Sequence, residues 1–205
     1  MEEIGLFPLG IVLLPGERVP LHIFEPRYRE LIGECLDEDR EFGLVLGGES
    51  SVEEVGTTAT VVAVIDRFED GRLNIVVEGR ERFRILAETS GRSFRTARVE
   101  PLPDSEDDEP AEADVERCVA AYRGVVEAAE EELIEPDPGS EGLAYWLAAR
   151  VDFGPEIKQE LLELTSERER IARLGTLLAR ARVTLAWART ARERAPGNGR
   201  VEPPG

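Results

Sequence analysis

Pro101-Leu102-Pro103-Asp104-Ser105-Glu106-Asp107-Asp108-Glu109-Pro110 divides the chain into two differently patterned halves. Three prolines and five carboxylates surround a single apolar residue, Leu102. Such a stretch has too little apolar surface to be ordered by burial, and its prolines interrupt helix and strand alike. Before it, apolar residues recur in short β-branched and aromatic runs; after it, they recur with the period of a helix. That change of period predicts an α+β chain in which strands come first and helices follow.

On the amino-terminal side the strand-like runs are Gly5 to Leu9, Val19 to Phe24, Phe42 to Leu46, Thr57 to Phe68, Leu73 to Val77, Arg82 to Ala87 and Phe94 to Val99. Asp70-Gly71 between two of them is a hairpin signal, because glycine supplies the positive φ of a short turn. One helix interrupts the series from about Pro26 to Asp37, where Tyr28, Leu31, Ile32, Cys35 and Leu36 share a face and proline is tolerated in the first turn. Many short strands and one helix predict a small closed or partly closed barrel.

On the carboxyl-terminal side Val115, Val119, Tyr122, Val126, Ala129 and Leu133 form one apolar stripe on a long helix. Pro136-Asp137-Pro138-Gly139 ends it. A second helix carries Leu143, Leu147 and Val151, and Gly154-Pro155 separates it from a third with Ile157, Leu161 and Leu164. The last holds Ile171, Leu174, Leu177, Leu178, Ala181 and Leu185 inward. Short connections between four helices predict a bundle. The expected organisation is therefore a barrel over 1–103, an acidic linker over 104–113, a helical bundle over 114–195 and a disordered tail over 196–205.

The charge follows the same division. The chain of 205 residues has 43 acidic against 25 basic residues, a net −18. Residues 100–141 alone carry −14 of this, while the barrel is mildly acidic and the last helices slightly basic. An acidic chain is a poor match for a phosphate backbone, whose affinity comes from clustered Lys and Arg, so nucleic acid is not the expected partner. No apolar run approaches the roughly 18 residues of a membrane span, and the early run Ile4 to Leu14 is broken by Pro8 and Gly10 and preceded by two glutamates where a signal peptide carries positive charge. The expectation is a cytoplasmic protein without a membrane partner. Cys35 and Cys118 have no metal-ligand spacing and read as reduced, partly buried thiols.

Catalytic candidates are few. His22, the only histidine, lies mid-strand with no evident nucleophile or orienting acid. Lys158, the only lysine, is expected on the wet side of its helix, charged and unsuited to a Ser-Lys dyad. There is no Gly-x-x-x-x-Gly-Lys-Ser/Thr phosphate loop, and Glu106 to Glu109 lacks the glycine and terminal Glu of a calcium loop. Neither a cofactor nor a metal is expected, and the chain reads as non-enzymatic. Arg80, Arg82 and Arg84 alternate on one strand face, which reads as the polar face of a half-buried sheet or as a small anion-binding stripe that the acidic linker could fold over and screen.

Leu6-Phe7-Pro8-Leu9, Val12-Leu13-Leu14-Pro15-Gly16 and Pro20-Leu21-His22-Ile23-Phe24-Glu25-Pro26-Arg27-Tyr28-Arg29 occur in that order. So do Val55-Gly56-Thr57, Val77-Glu78-Gly79 with Arg82-Phe83-Arg84-Ile85, and Lys158-Gln159-Glu160-Leu161-Leu162-Glu163. In these segments the chain resembles the amino-terminal substrate-binding domain of Lon proteases, most closely its stand-alone bacterial members; cereblon carries a relative of it. The resemblance implies a PUA-like β pseudo-barrel followed by a helical bundle, and recognition of unfolded or tagged polypeptides, with a separate protease as a further partner. The ATPase and peptidase of full-length Lon lie in later domains, so their activity is not implied here. Leu14, Pro15, Phe24, Tyr28 and Phe68 are the candidate substrate-binding residues, although for Pro15, Phe24 and Tyr28 a turn or core role is the commoner reason for such residues. A groove is expected where barrel meets bundle. RNA binding by a PUA-like barrel and hydrolysis through His22 are the competing expectations.

Overall fold

The computed structural model describes residues 2–48, 50–105 and 109–194; the expected tail over 196–205 and linker residues 106–108 lie outside them. The elements are β1 (Glu2–Leu9), β2 (Arg18–Ile23), α1 (Pro26–Glu38), β3 (Phe42–Gly47), β4 (Val52–Arg67), β5 (Leu73–Thr89) and β6 (Thr96–Pro101), then α2 (Glu112–Ala129), α3 (Leu143–Ala148), α4 (Pro155–Glu163) and α5 (Glu167–Arg194). The strands run β2-β5-β4-β3-β1-β6, and β6 returns to pair with β5. The architecture is the expected α+β arrangement, a β pseudo-barrel followed by a helical bundle.

Closure depends on the length of β5. The runs Leu73 to Val77 and Arg82 to Ala87 are not two strands but one, continuous through Gly79. Its first half, Leu73–Glu78, pairs with β2 and its second half, Phe83–Thr89, pairs with β6, with irregular register between Ile85 and Ala87. Bulges of this kind bend the strand and increase its local twist, so that β5 meets β2 and then β6 along one side while β4 pairs with the other. The consequence is that, among the described residues, β2 pairs with β5 alone and stands outside the closed ring as an edge. Gly56 and Gly79 sit inside long strands, not at strand ends, and both are needed for close approach: a Cβ on Gly79 would lie 2.3 Å from the carbonyl oxygen of Leu14, and one on Gly56 would lie 2.7 Å from that of Leu44.

Two helices stop earlier than their stripes suggest. α2 buries Val115, Cys118, Val119, Tyr122, Val125 and Val126, then ends at Ala129 with Glu130 in the left-handed region (φ 59°). Leu133 therefore lies beyond the helix and is exposed. Glu130, Glu131 and Glu132 would place three negative charges at the negative end of the helix dipole, which disfavours further turns. Val151 likewise falls past the end of α3.

Barrel and bundle share a core, since Val12, Leu14 and Val55 pack with the buried faces of α2 to α5. Polar bonds reinforce this joint. Gln159 Nε2 of α4 donates to the Val55 carbonyl of β4 (3.1 Å), and within the barrel Thr57 Oγ1 donates to the Leu13 carbonyl (2.6 Å), fixing the loop that carries Leu14. Lys158 is not on a wet face: α4 packs against the barrel, so its ammonium meets Glu17 at 2.7 Å, both side chains being largely buried, while the other Glu17 oxygen accepts the Leu14 N–H.

Arg82 departs most from the expected polar face. It and Phe83 are adjacent and both buried, because β5 is covered on two sides. Phe83 enters the barrel among Ile4, Leu6, Val45, Ala97 and Val99. Arg82 faces the bundle and donates to the carbonyls of Leu162 (2.8 Å) and Leu164 (2.6 Å) and to the carboxylate of Asp104. Asp104 also binds Arg170 of α5, and Ser105 N–H donates to the Thr165 carbonyl. The start of the acidic stretch is thus pinned at the joint.

Both cysteines are buried. Burial pushes the Cys35 thiol up to about 11 and the Cys118 thiol up to about 12, against an ordinary value of 9. In the unfolded chain these thiols ionise first, so above about pH 9 the unfolded state binds fewer protons and stability falls as pH rises towards the folded values. Urea titrations between pH 8 and 10.5 should show this decline, and Cys35→Ser/Cys118→Ser should flatten it.

Candidate functional site

The turn joining β4 to β5 decides where the aromatic residues of the barrel edge meet. Phe68 N–H donates to the Arg72 carbonyl and Gly71 N–H to that of Phe68, with Gly71 in the left-handed region that Asp70-Gly71 anticipates. The Asp70 carboxyl is held below its usual range by the N–H and guanidinium of Arg72. This compact turn sets Phe68 beside β2. There His22 stands between Phe24, nearly parallel at 5.9 Å, and Phe68, edge-on at 6.2 Å. Phe24 is 59% and Phe68 39% exposed, and the Arg72 guanidinium lies 5.1 Å from the Phe68 ring centroid.

His22 is oriented by a short polar chain. Asn74 Nδ2 donates to Asp66 (2.8 Å), which turns its Oδ1 towards His22 Nδ1 at 2.7 Å. The imidazole must then donate from Nδ1, leaving Nε2 towards solvent. Among the described residues no serine, threonine or cysteine is hydrogen-bonded to it, so the geometry does not assemble a triad, and no group of three His, Cys, Asp or Glu is placed to hold a metal ion. The edge is suited to contact, with flat apolar surface around one polar acceptor. Pro20 removes one N–H from β2, which limits main-chain pairing along this edge and leaves recognition to the side chains.

The five residues singled out from the sequence separate. Phe24 and Phe68 come together on the edge. Phe24 does not pack across the strand-to-helix junction; Tyr28 does, buried against Phe7 with ring centroids 4.2 Å apart. Leu14 is fully buried in the shared core. Tyr28 and Leu14 therefore present no side-chain surface to a ligand and act as scaffold. Pro15 lies elsewhere, on the wall of a cleft of about 970 Å³ that opens between the loop before β2 and α3.

That cleft is walled by Pro15, Ile134, Tyr145 and Trp146, with Glu17, Glu78 and Glu141 around it. The Arg150 guanidinium stacks on Trp146 at 3.4 Å. Ile134 and Trp146 escaped sequence reasoning because α3 has six residues, too few to display a stripe, and nothing local indicates that the segment after α2 returns towards the barrel. The arginines of the later strands do not make a continuous basic stripe. Arg80 pairs with Glu78, Arg92 with Glu34 and Arg95 with Glu88, while Arg82 is internal.

A family profile described as the ATP-dependent protease La (LON) substrate-binding domain matches residues 3–180. The Lon protease of Paraburkholderia phytofirmans is 32% identical over 179 residues, covering 79% of this chain and 22% of that protein. Cereblon of Xenopus tropicalis is 29% identical over 109 residues, half of this chain and 24% of that one. Among solved structures, the Lon N-terminal domain protein from Xanthomonas campestris superposes with a TM-score of 0.67 at 24% identity, covering 85% of this chain and 97% of that one. The N-terminal domain of a Mycobacterium avium complex Lon protease gives 0.64 at 19% identity, covering 89% and 98%. The chain spans 22% to 24% of the length of the Lon proteases it matches. Among the described residues, no helix is long and apolar enough to cross a membrane.

Proposed function

The chain belongs to the family of Lon substrate-binding domains, and from that premise we propose that it is a non-enzymatic, cytoplasmic module that holds apolar segments of unfolded or tagged polypeptides for a separate protease. The observation that carries this reading is the exposed aromatic edge of Phe24, His22 and Phe68. Rigid rings offer large contact area at low entropic cost, and a few such anchors dominate binding energy. The neighbouring charges of Arg72 and Asp66 give the patch a polar rim.

The test is retention of a fluorescently labelled unfolded model protein, and of a broad peptide library, at micromolar concentration. Phe24→Ser/Phe68→Ser should weaken binding about tenfold, a loss of about 1.4 kcal/mol shared by two exposed aromatic contacts. Trp187→Ser removes a still more exposed ring on α5, away from the barrel edge, and should leave binding unchanged. Failure of the native protein to retain any polypeptide overturns the reading, and an equal loss in Trp187→Ser overturns the site.

A further inference from the structure

We infer that the floor of the cleft between barrel and α3 is a carboxylate site, filled by Asp104 in the free protein and taken over by the terminal carboxylate of a bound polypeptide. The class of ligand follows from the side chains; its identity as a chain end rests on the polypeptide-binding reading. Arg82 from β5 and Arg170 from α5 converge here with side chains only 4% and 1% exposed. Other donors of both are engaged by fixed groups. Arg82 Nη1 serves the carbonyls of Leu162 and Leu164, and Arg170 donates to Glu167 and the Leu164 carbonyl. One Nη2 from each is left to bind a different oxygen of Asp104.

Charge makes Asp104 the removable member. Two guanidiniums face two carboxylates, Glu167 and Asp104, so withdrawing Asp104 leaves the floor short of one negative charge at a site where burial makes that costly. Glu167 is anchored in α5, whereas Asp104 lies between β6 and α2, is 39% exposed and lines the cleft. Tyr145 supplies an independent sign of a ligand. Its ring lies under both guanidiniums, 5.9 Å and 4.4 Å from them, and the residue is 5% exposed, yet among the described residues its hydroxyl has no hydrogen-bond partner with Asp104 in place. A carboxylate accepts about four hydrogen bonds, and an untethered one can settle to take the Tyr145 hydroxyl as well. Arg170 and Tyr145 are buried behind Asp104, and a chain end entering from the cleft would lay its last side chains along Pro15, Ile134 and Trp146.

The tether gives Asp104 a high effective concentration and masks the site. In Asp104→Ala, sodium acetate should raise the melting temperature by several degrees over sodium chloride of equal ionic strength, and the native protein should not respond. Acetate no better than chloride overturns the site. An apolar acetylated hexapeptide with a free carboxylate should bind Asp104→Ala about tenfold more tightly than its amide; the native protein should discriminate less. Equal binding of acid and amide, or binding of an amidated peptide with an internal Asp as tight as the free acid, overturns this inference and leaves the aromatic edge untouched. Acetate rescue with no peptide bound at all overturns the chain-end ligand and traces that failure to the polypeptide reading. Should Asp104→Ala not fold, Asp104→Asn keeps the shape without the charge and is read in the same assays.

Discussion

Arg82→Ala is expected to lower the unfolding free energy by about 3–5 kcal/mol, the range for removing one partner of a buried ionic cluster. The substitution strips hydrogen bonds from the carbonyls of Leu162 and Leu164 and one from Asp104. It also leaves Arg170 as the remaining cation against Asp104 and Glu167. Both carbonyls lie at the end of α4, so the damage falls on the barrel–bundle joint. Arg82→Lys should recover little, because one ammonium cannot reproduce a planar fork that reaches three acceptors. Urea unfolding followed by tryptophan fluorescence, which reports the bundle through Trp146 and Trp187, and by far-ultraviolet circular dichroism measures the loss. A cost below 1 kcal/mol would mean that the apolar core alone joins the halves.

Gly79→Ala should cost about 1–3 kcal/mol or more, the range for inserting atoms into a packed site. The new Cβ would lie 2.3 Å from the Leu14 carbonyl oxygen and 3.1 Å from Leu13 Cγ. The first is a backbone atom that cannot rotate away. The loop is held against β5 by Gly16 N–H to the Gly79 carbonyl and Gly79 N–H to the Glu17 carbonyl, both 2.9 Å. Forcing it off therefore also disturbs the Glu17–Lys158 pair. Gly33→Ala is the control: among the described residues nothing lies within 4 Å of its Cβ position inside α1, so helix propensity should make it stabilising by up to about 1 kcal/mol. Equal denaturation midpoints for the two variants would contradict the steric account.

Much of the fold was legible because its signals are local. The Pro-rich acidic stretch separates strands from helices, Asp70-Gly71 makes the turn it predicts, and Pro26 opens α1. Legibility failed where a distant element changes the environment of a residue. Lys158 has a helical position that suggests solvent, but α4 lies against Glu17, 141 residues away in sequence. Arg82 has the alternation of a wet strand face, but the end of α4 and α5 close over it while the side chains of Arg80 and Arg84 stay partly exposed. Leu133 obeys the helical spacing, but the charges of Glu130 to Glu132 stop the helix first.

The candidate site divides in the same way. Aromatic character at Phe24, Tyr28 and Phe68 is visible in the sequence, but which ring faces water depends on α1 closing over Tyr28 and on the β4–β5 turn carrying Phe68 to His22. The amino-acid sequence by itself determined the α+β class, the order of strands before helices and the location of the charge, because periodicity, turn chemistry and proline act over a few residues. Tertiary structure alone decided that β5 pairs with β2, β4 and β6 and leaves β2 as an edge, that Arg82 and Arg170 meet at Asp104, and that a cleft opens beside Trp146. Those outcomes depend on contacts between residues far apart in the chain, whose free energies come from burial and charge pairing that no local pattern encodes.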